Sequence, residues 1–161
     1  MFTQLYSSPI GQLLLTADDT ALVALHFCDK GRSCFLSDDA AFNDHAILQA
    51  AKQWLDVYFS GQEPNFMPPL RPVGTDFQQE VWQLLRAIPY GKTTTYGEIA
   101  AALAARRGIP RMSAQAVGGA VGHNPIPIFI PCHRVVGSGG KLTGYSGGLE
   151  KKQFLLSNEH I

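Results

Sequence analysis

A cluster of prolines divides this chain into two parts. Between residues 62 and 74 the sequence contains Pro64, Pro68, Pro69 and Pro72. Because proline fixes φ and has no backbone N–H to donate, neither a helix interior nor a central strand tolerates this density. The stretch therefore predicts a linker between one domain over residues 1–73 and a second over residues 74–161.

The first part has the pattern of a small antiparallel sheet followed by a helix. Three β-prone runs, 2–6, 12–17 and 21–27, are separated by the turn-forming sequences Ser-Pro-Ile-Gly and Asp-Asp-Thr. Residues 29–44 are polar and are expected to form a loop. A helix is predicted to begin near Asn43 or Asp44 and to end at Gly61, with one apolar face formed by Ile47, Ala51, Trp54, Leu55 and Tyr58.

The second part is predicted to be mostly helical, which makes the whole chain an α+β protein. Two capping-box patterns, Thr75 with Gln78 and Thr95 with Glu98, indicate where two of its helices begin. A further helix is expected near the C-terminus, over residues 153–158.

A third helix of this part, capped by Ser113 and running over residues 114–121, is rich in alanine and glycine. Together with the helix before it, across the breaker Gly108-Ile109-Pro110, it resembles a helix-turn-helix unit. The connecting segment is longer than the usual turn of that motif. Two helices that merely pack against each other would give the same pattern, so this signal by itself leaves both interpretations open.

Charge is distributed unevenly between the two parts. The chain has 161 residues with 13 basic and 13 acidic side chains, and its net charge is zero. Residues 1–73 contain four basic and eight acidic residues, whereas residues 74–161 contain nine basic and five acidic ones. Net charges of −4 and +4 follow, which point to an anionic partner for the second part. Ordinary scatter of solvated charges is the alternative explanation.

No feature of the sequence predicts export or membrane insertion. There is no apolar run of about 18 residues, the length that a membrane-spanning helix needs. The start, Met1-Phe2-Thr3-Gln4, is not typical of a signal peptide. Three cysteines are too few, and odd in number, for a disulfide framework. We therefore expect a protein of the reducing cytoplasm.

The chemically most distinctive segment is Asn124-Pro125-Ile126-Pro127-Ile128-Phe129-Ile130-Pro131-Cys132-His133-Arg134. Its prolines predict a stiff, extended approach that delivers one thiol to a fixed place. A cysteine beside histidine and arginine is expected to have a lowered pKa and to act as a nucleophile. Since neighbours on an extended backbone point to opposite sides, a bridging water would carry the proton between thiol and imidazole. A buried structural cysteine is the alternative.

The sequence Ile130-Pro131-Cys132-His133-Arg134-Val135 resembles the active-site motif of the alkylguanine-DNA alkyltransferases, also called methylated-DNA–protein-cysteine methyltransferases. The resemblance covers residues 74–160. Its other elements follow in the order that the family has: Thr95-Tyr96, Ala116-Val117-Gly118-Gly119-Ala120, Asn124-Pro125, Gly144-Tyr145-Ser146-Gly147-Gly148 and Glu159. The N-terminal part is compatible with the family but has no diagnostic motif.

This resemblance implies direct reversal of DNA damage in a single turnover. The family flips an alkylated guanine out of the duplex, and its cysteine irreversibly takes the alkyl group from the 6-oxygen. By position, Cys132 would be the nucleophile, His133 the base acting through a water, and Glu159 the residue that orients the imidazole. Asn124 would stabilise the turn before the active-site segment, and Tyr96 would help protonate the leaving base. The base pocket would be lined by Pro127, Tyr145, Ser146 and Gly147.

The resemblance also implies how DNA is bound. The family inserts the small-residue helix into the minor groove of double-stranded DNA, and the matching positions here are Ala114, Gln115, Ala116, Gly118 and Gly119. The family commonly has an intercalating arginine where this chain has Gln115. We expect Gln115 to take that role, while phosphates are held by the arginines of the longer connecting segment, Arg106, Arg107 and Arg111. Contacts of this kind carry little sequence specificity.

Three other functions are compatible with parts of the sequence. A non-catalytic binder of alkylated bases is disfavoured by Cys132, because such relatives of the family lack the cysteine. A Cys-His hydrolase would turn over many times. A zinc site formed by His26, Cys28, Cys34 and His45 has suitable ligand types, but its spacing is not a compact CxxC pattern. The prediction is therefore a monomer without metal or other cofactor.

Overall fold

The computed structural model describes residues 1–28, 34 and 45–161. The predicted loop over residues 29–44 lies outside the described residues, apart from Cys34. The chain forms two compact units, Met1–Val73 and Gly74–Ile161. Within the described residues, no helix is both long and apolar enough to cross a bilayer.

The first unit is built on a three-stranded antiparallel sheet. Its strands, in the spatial order β1-β2-β3, are β1 (Phe2–Ser8), β2 (Gly11–Ala17) and β3 (Leu22–Phe27). Side chains of the central strand alternate, and Leu13, Leu15 and Ala17 are fully buried. The sequence prediction of a small antiparallel sheet is confirmed.

The proline-rich stretch ends against this sheet. The backbone N–H of Leu22 donates to the Pro69 carbonyl oxygen at 2.8 Å, and that of Arg71 donates to the Leu22 carbonyl oxygen at 2.9 Å. Proline can take part here because it contributes only its carbonyl. Part of the predicted linker is thus an ordered part of the first unit.

Helix α1 (Ala46–Phe59) packs on the sheet through one apolar face. The predicted start positions, Asn43 and Asp44, lie outside the described residues, and the helix begins after His45. Its buried positions are Leu48, Ala51, Trp54, Leu55 and Tyr58, so Leu48 and not the half-buried Ile47 leads the face.

Cys28 and Cys34 form a disulfide. The sequence argued against a framework of several disulfides and did not predict this single bond. An odd number of cysteines excludes complete pairing but not one local bond, and here it leaves Cys132 as the free thiol. The zinc site considered for His26, Cys28, Cys34 and His45 loses both thiolate ligands to this bond. No group of three or more potential metal ligands occurs in the parts of the chain that are described.

The second unit is mostly helical. Its helices are α2 (Asp76–Arg86), α3 (Tyr96–Arg107), α4 (Ala114–Gly122) and α5 (Leu149–Asn158). Both predicted capping boxes are formed, and the Ser113 hydroxyl accepts the backbone N–H of Ala116 at the start of α4. Helix α5 begins four residues before the predicted start at residue 153.

A short parallel pair of strands connects the α2–α3 region to the segment that carries Cys132. Thr94 and Thr95 form β4, which pairs with Val135 and Val136 of β5. Between α4 and β5 the chain passes through a single turn of 3₁₀ helix, Cys132–Arg134. The predicted fold class, a small antiparallel sheet with a helix followed by a helical region, is confirmed.

Candidate active site

Asn124 shapes the segment that leads to Cys132. Its buried amide donates to the Ile130 carbonyl oxygen at 2.8 Å and accepts the Ile126 backbone N–H at 3.0 Å. The segment folds back on itself between these contacts, with the Ile130 N–H donating to the Ile126 carbonyl oxygen and Ile128 at a φ of 74°. The predicted extended approach is therefore wrong: side-chain hydrogen bonds to the backbone outweigh the preferences that proline imposes on its neighbours.

The thiol of Cys132 is buried and protonated at rest. Burial raises the pKa of Cys132 to about 11, even though hydrogen bonds from Asn124 and Tyr145 and the charge of Lys152 lower it. The expectation of a lowered pKa is wrong, because loss of hydration disfavours the thiolate more strongly than these contacts favour it. The predicted extended backbone is also wrong here, since the cysteine lies at the start of the 3₁₀ turn.

His133 forms a buried pair with Glu159. The imidazole Nε2 and the carboxylate Oε2 share a hydrogen bond, and both side chains are inaccessible to solvent. Burial lowers the pKa of His133 although the Glu159 carboxylate opposes this shift. At neutral pH the imidazole is consequently uncharged and can accept a proton. Of the five acidic residues in the second unit, the structure brings Glu159 to this histidine.

Glu159 is held by two further donors. Its Oε1 accepts the Arg134 Nε–H at 2.7 Å and the Gly91 backbone N–H at 3.1 Å. The same guanidinium donates to the Ile88 carbonyl oxygen at 2.8 Å and lies 5.7 Å from the centre of the Tyr90 ring. Arg134 therefore neutralises the carboxylate and fixes its position behind the imidazole.

Cys132 lies in the wall of a partly open cavity of about 320 Å³. The other lining residues come from α3, α4 and the segment before α5: Tyr96, Gly118, Val121, Gly122, Thr143, Gly144, Tyr145 and Ser146. Four of the predicted site residues, Tyr96, Gly118, Tyr145 and Ser146, are thus brought together with the thiol. Pro127 and Gly147, which the sequence placed in the pocket, are buried and are not part of its lining.

Four lining residues were not assigned from the sequence, namely Val121, Gly122, Thr143 and Gly144. Gly144 begins the motif that contains Tyr145 and Ser146, so its position in the chain is a usable signal. Val121 and Gly122 continue the small-residue helix. Thr143 carries no signal that sequence reasoning could have used.

The residues predicted to bind DNA lie on α4, in the last turn of α3 (Arg106 and Arg107) and, for Arg111, in the segment between these two helices. Ala114, Gln115, Ala116 and Gly119 are exposed on α4, whereas Gly118 is half-buried and lines the cavity. A Cβ added at Gly118 would lie 3.8 Å from the Tyr96 ring, which is an ordinary van der Waals contact, so alanine would also fit at this position. This face of α4 is free of long side chains apart from Gln115.

The three arginines predicted to hold phosphates are all exposed, but they differ in their surroundings. Arg107 forms an ion pair with Glu80 at 3.0 Å and lies over the Phe77 ring. This pairing compensates the charge of Arg107 within the protein. Arg106 and Arg111 enter none of the ion pairs among the described residues.

Comparison with known proteins covers nearly the whole chain. Residues 76–161 match the family described as 6-O-methylguanine DNA methyltransferase, DNA binding domain, and residues 1–72 match the family described as 6-O-methylguanine DNA methyltransferase, ribonuclease-like domain. A methylated-DNA–protein-cysteine methyltransferase of Methanosarcina acetivorans is 43% identical over 159 residues, which span 99% of this chain and 98% of the relative. One of Mycobacterium tuberculosis is 44% identical over 156 residues, spanning 94% and 88%.

The fold is similar to that of a solved relative. A crystal structure of Mycobacterium tuberculosis OGT in complex with DNA superposes with a TM-score of 0.81 at 42% sequence identity, covering 99% of this chain and 92% of that chain. The similarity thus includes both units.

Proposed function

The chain belongs to the methylated-DNA–protein-cysteine methyltransferase family, and we propose that Cys132 is the residue that accepts the alkyl group. The protein repairs DNA by direct reversal, taking the alkyl group from the 6-oxygen of guanine. The observation that carries the assignment is the free thiol of Cys132, which lines a cavity and is followed directly by a buried His133–Glu159 pair.

The transfer is a single displacement at the alkyl carbon. The Cys132 sulfur forms a bond to this carbon, and the bond from the carbon to the guanine 6-oxygen breaks. The thiol proton passes through a bridging water to the neutral imidazole of His133, which Glu159 stabilises as it becomes charged. Tyr96, in the cavity wall, donates a proton to the departing guanine. The thioether that remains is stable, so each molecule reacts once.

We assign damage recognition to α4 and the transfer reaction to residues 74–161 as a whole. Helix α4 enters the minor groove, where its exposed small residues permit a close approach to the bases. Gln115 fills the space that the flipped base leaves. Arg106 and Arg111 bind phosphates. Arg107 contributes less to phosphate binding because Glu80 already compensates its charge. Residues 1–73 form the N-terminal domain.

The decisive test is a stoichiometric transfer assay. The protein is incubated with duplex DNA containing 6-O-methylguanine, and its mass is measured before and after peptide mapping. We expect one added methyl group on the Cys132 peptide, none in Cys132→Ser, and an undiminished yield in the matched variant Cys28→Ser. Repeated turnover without a gain in mass would indicate a hydrolase. Binding of the lesion without transfer would indicate a non-catalytic binder, and either result would overturn the proposal.

A second assay tests the DNA contacts. Gln115→Ala should slow repair in duplex DNA while leaving reaction with the free alkylated base unchanged. Replacing both Arg106 and Arg111 by alanine should reduce the salt dependence of DNA binding by about two phosphate contacts, and Arg107→Ala, its control, should reduce it less. An unchanged duplex rate in Gln115→Ala, or an unchanged salt slope in the double variant, contradicts the corresponding assignment.

We also propose that the protein acts as a cytoplasmic monomer without a cofactor. The displacement changes no oxidation state and needs only the thiol, a base and a proton donor, all of which the chain itself supplies. Metal analysis of the purified protein and native mass spectrometry test this proposal. A stoichiometric metal or a stable dimer would contradict it.

A further inference from the structure

Lys152 is a fully buried lysine on α5, one residue after the half-buried Lys151. Its ammonium group donates to the carbonyl oxygens of Thr143 at 2.7 Å and Gly144 at 3.3 Å. Both acceptors belong to the wall of the cavity that contains Cys132. The lysine therefore connects α5 to the pocket wall, immediately before Tyr145 and Ser146.

The charge of this ammonium group is not matched by a carboxylate. Among the described residues, the ion pairs are Arg71–Asp18, Arg107–Glu80, and His133 and Arg134 with Glu159, and none of them includes Lys152. Burial of a cation is costly unless nearby groups compensate its charge. Two carbonyl dipoles supply part of that compensation, and a negative charge on the Cys132 sulfur would supply more.

Lys152 and Cys132 belong to the surroundings of the same cavity, because the two carbonyls that Lys152 binds line it together with the thiol. The ammonium group lowers the pKa of the Cys132 thiol, and the thiolate correspondingly raises that of the lysine, whose pKa is otherwise lowered by burial. The ammonium group also lowers the pKa of His133. Tyr96 and Tyr145 line the same cavity as the sulfur, and Tyr145 also lowers the pKa of the thiol, while Arg134 and Glu159 are paired with each other behind the imidazole.

We propose that Lys152 is the positioning residue of the transfer site, which holds the pocket wall through the Thr143 and Gly144 carbonyls and places a buried positive charge beside the Cys132 sulfur. This inference rests on the proposed role of Cys132. As the thiol proton leaves, the ammonium group stabilises the negative charge that develops on sulfur. It also adds to the effect of burial, which keeps His133 uncharged before the reaction, so that the imidazole remains able to accept the proton.

The test measures the ionisation of the thiol directly, without DNA. The rate at which iodoacetamide alkylates Cys132 is followed by peptide mass mapping between pH 8 and pH 12, a range that includes the thiol pKa of about 11, in the native protein, Lys152→Gln and the matched control Lys151→Gln. A glutamine amide can still donate to the wall carbonyls but has no charge. We expect Lys152→Gln to react about tenfold more slowly at pH 8, with its profile displaced to higher pH by about one unit. Lys151→Gln should follow the native curve.

A purely structural role for Lys152 predicts a different outcome. In that case Lys152→Gln would lower the free energy of unfolding but leave the pH profile of thiol alkylation where it is, and the proposal would be overturned. The DNA transfer assay distinguishes this failure from failure of the proposed function. If the protein does not repair DNA but Lys152→Gln displaces the thiol profile, the proposed function fails and the effect of Lys152 on the thiol remains. If the protein repairs DNA but the profile is not displaced, only the proposal for Lys152 fails.

A second measurement uses the native protein and does not depend on the variant being folded. Iodoacetate is negatively charged and iodoacetamide is neutral, so a nearby cation favours the former. The rate with iodoacetate divided by the rate with iodoacetamide should be several-fold higher at Cys132 than at free cysteine. A ratio equal to or below that of free cysteine would mean that no net positive charge acts at the sulfur, which also overturns the proposal.

Discussion

Replacing Glu159 by glutamine should separate the effect of its negative charge from the effect of its shape, because the two side chains have nearly the same shape. In the native protein Oε1 accepts from Arg134 and Gly91, while Oε2 faces His133 Nε2. Because a carboxylate can only accept hydrogen bonds, this arrangement assigns the imidazole proton to Nε2. Nδ1 then has no proton and is the nitrogen that can act as a base.

Glutamine should reverse this assignment. Its oxygen will stay with the two donors, Arg134 and Gly91, which leaves its amide N–H groups facing His133. The imidazole must then accept at Nε2 and carry its proton on Nδ1, where it can no longer take the proton of Cys132. We expect the rate of methyl transfer at pH 7 to fall about 10³-fold, within the range that a positioned base contributes.

The same substitution should destabilise the fold. The Arg134 guanidinium is 10% exposed and the Glu159 carboxylate is inaccessible, so the variant leaves a nearly buried charge without its counter-ion. Removal of one partner of such a pair costs about 3–5 kcal/mol of unfolding free energy. Because the hydrogen bonds from Arg134 and Gly91 are retained, we expect a loss of about 3 kcal/mol. Urea unfolding measures this loss separately from single-turnover transfer followed by mass spectrometry.

The matched control is Glu150→Gln, which makes the same change at an exposed position in the first turn of α5. It should leave transfer unchanged and cost at most about 1 kcal/mol through the helix dipole. If folded Glu159→Gln transfers methyl groups at the native rate, the carboxylate does not set the tautomer of His133. The proposed base mechanism would then be refuted.

Four further substitutions test the stability of the second unit. Folding raises the pKa of the Cys132 thiol from 9.0 to about 11, so the folded state keeps its proton at a pH where the unfolded chain loses it. Between pH 8 and pH 10 the native protein should therefore lose about 1 kcal/mol of unfolding free energy more than Cys132→Ser. Trp82→Phe removes the 2.9 Å hydrogen bond from Nε1 to the buried Ala120 carbonyl oxygen and should cost about 2–3 kcal/mol in urea unfolding, whereas an unchanged midpoint would mean that water replaces the donor. Gly74→Ala would place a Cβ 2.4 Å from the ring of Trp82 and should cost about 1–3 kcal/mol of unfolding free energy. Gly119→Ala, whose Cβ would have no atom within 4 Å, should be neutral or stabilising by about 1 kcal/mol. Equal effects of the two substitutions would contradict the packing argument.

Local signals in the sequence predicted the elements of this fold well. The capping boxes at Thr75 and Thr95 formed as expected because their hydrogen bonds connect residues only three positions apart. The three strands follow from β-prone runs and turn chemistry, which also act locally. The disulfide was missed because pairing of Cys28 with Cys34 depends on a geometry that cysteine number does not express.

The ionisation state of the site could not be predicted in this way. His133 and Arg134 are neighbours of Cys132 in sequence, which suggested an electropositive environment for the thiol. In the structure both side chains are engaged by Glu159, twenty-five or more positions along the chain. The cation that does interact with the thiol is Lys152, whose sequence context is that of a surface lysine. Burial, a tertiary property, decides the pKa of both Cys132 and His133.

A neutral thiol beside a neutral imidazole has a consequence for a protein that reacts once. Electrophiles react with the thiolate far faster than with the thiol, so a resting pKa of about 11 leaves only a small reactive fraction at neutral pH. The thiol is therefore protected from small alkylating agents in solution. In the proposed mechanism a base held in the cavity changes this situation, because its alkyl carbon would lie in reach of the sulfur while His133 would accept the proton and Tyr96 would supply one to the leaving group. Reactivity is thus acquired together with the substrate, and a thiol that cannot be regenerated is used on bound alkylated guanine.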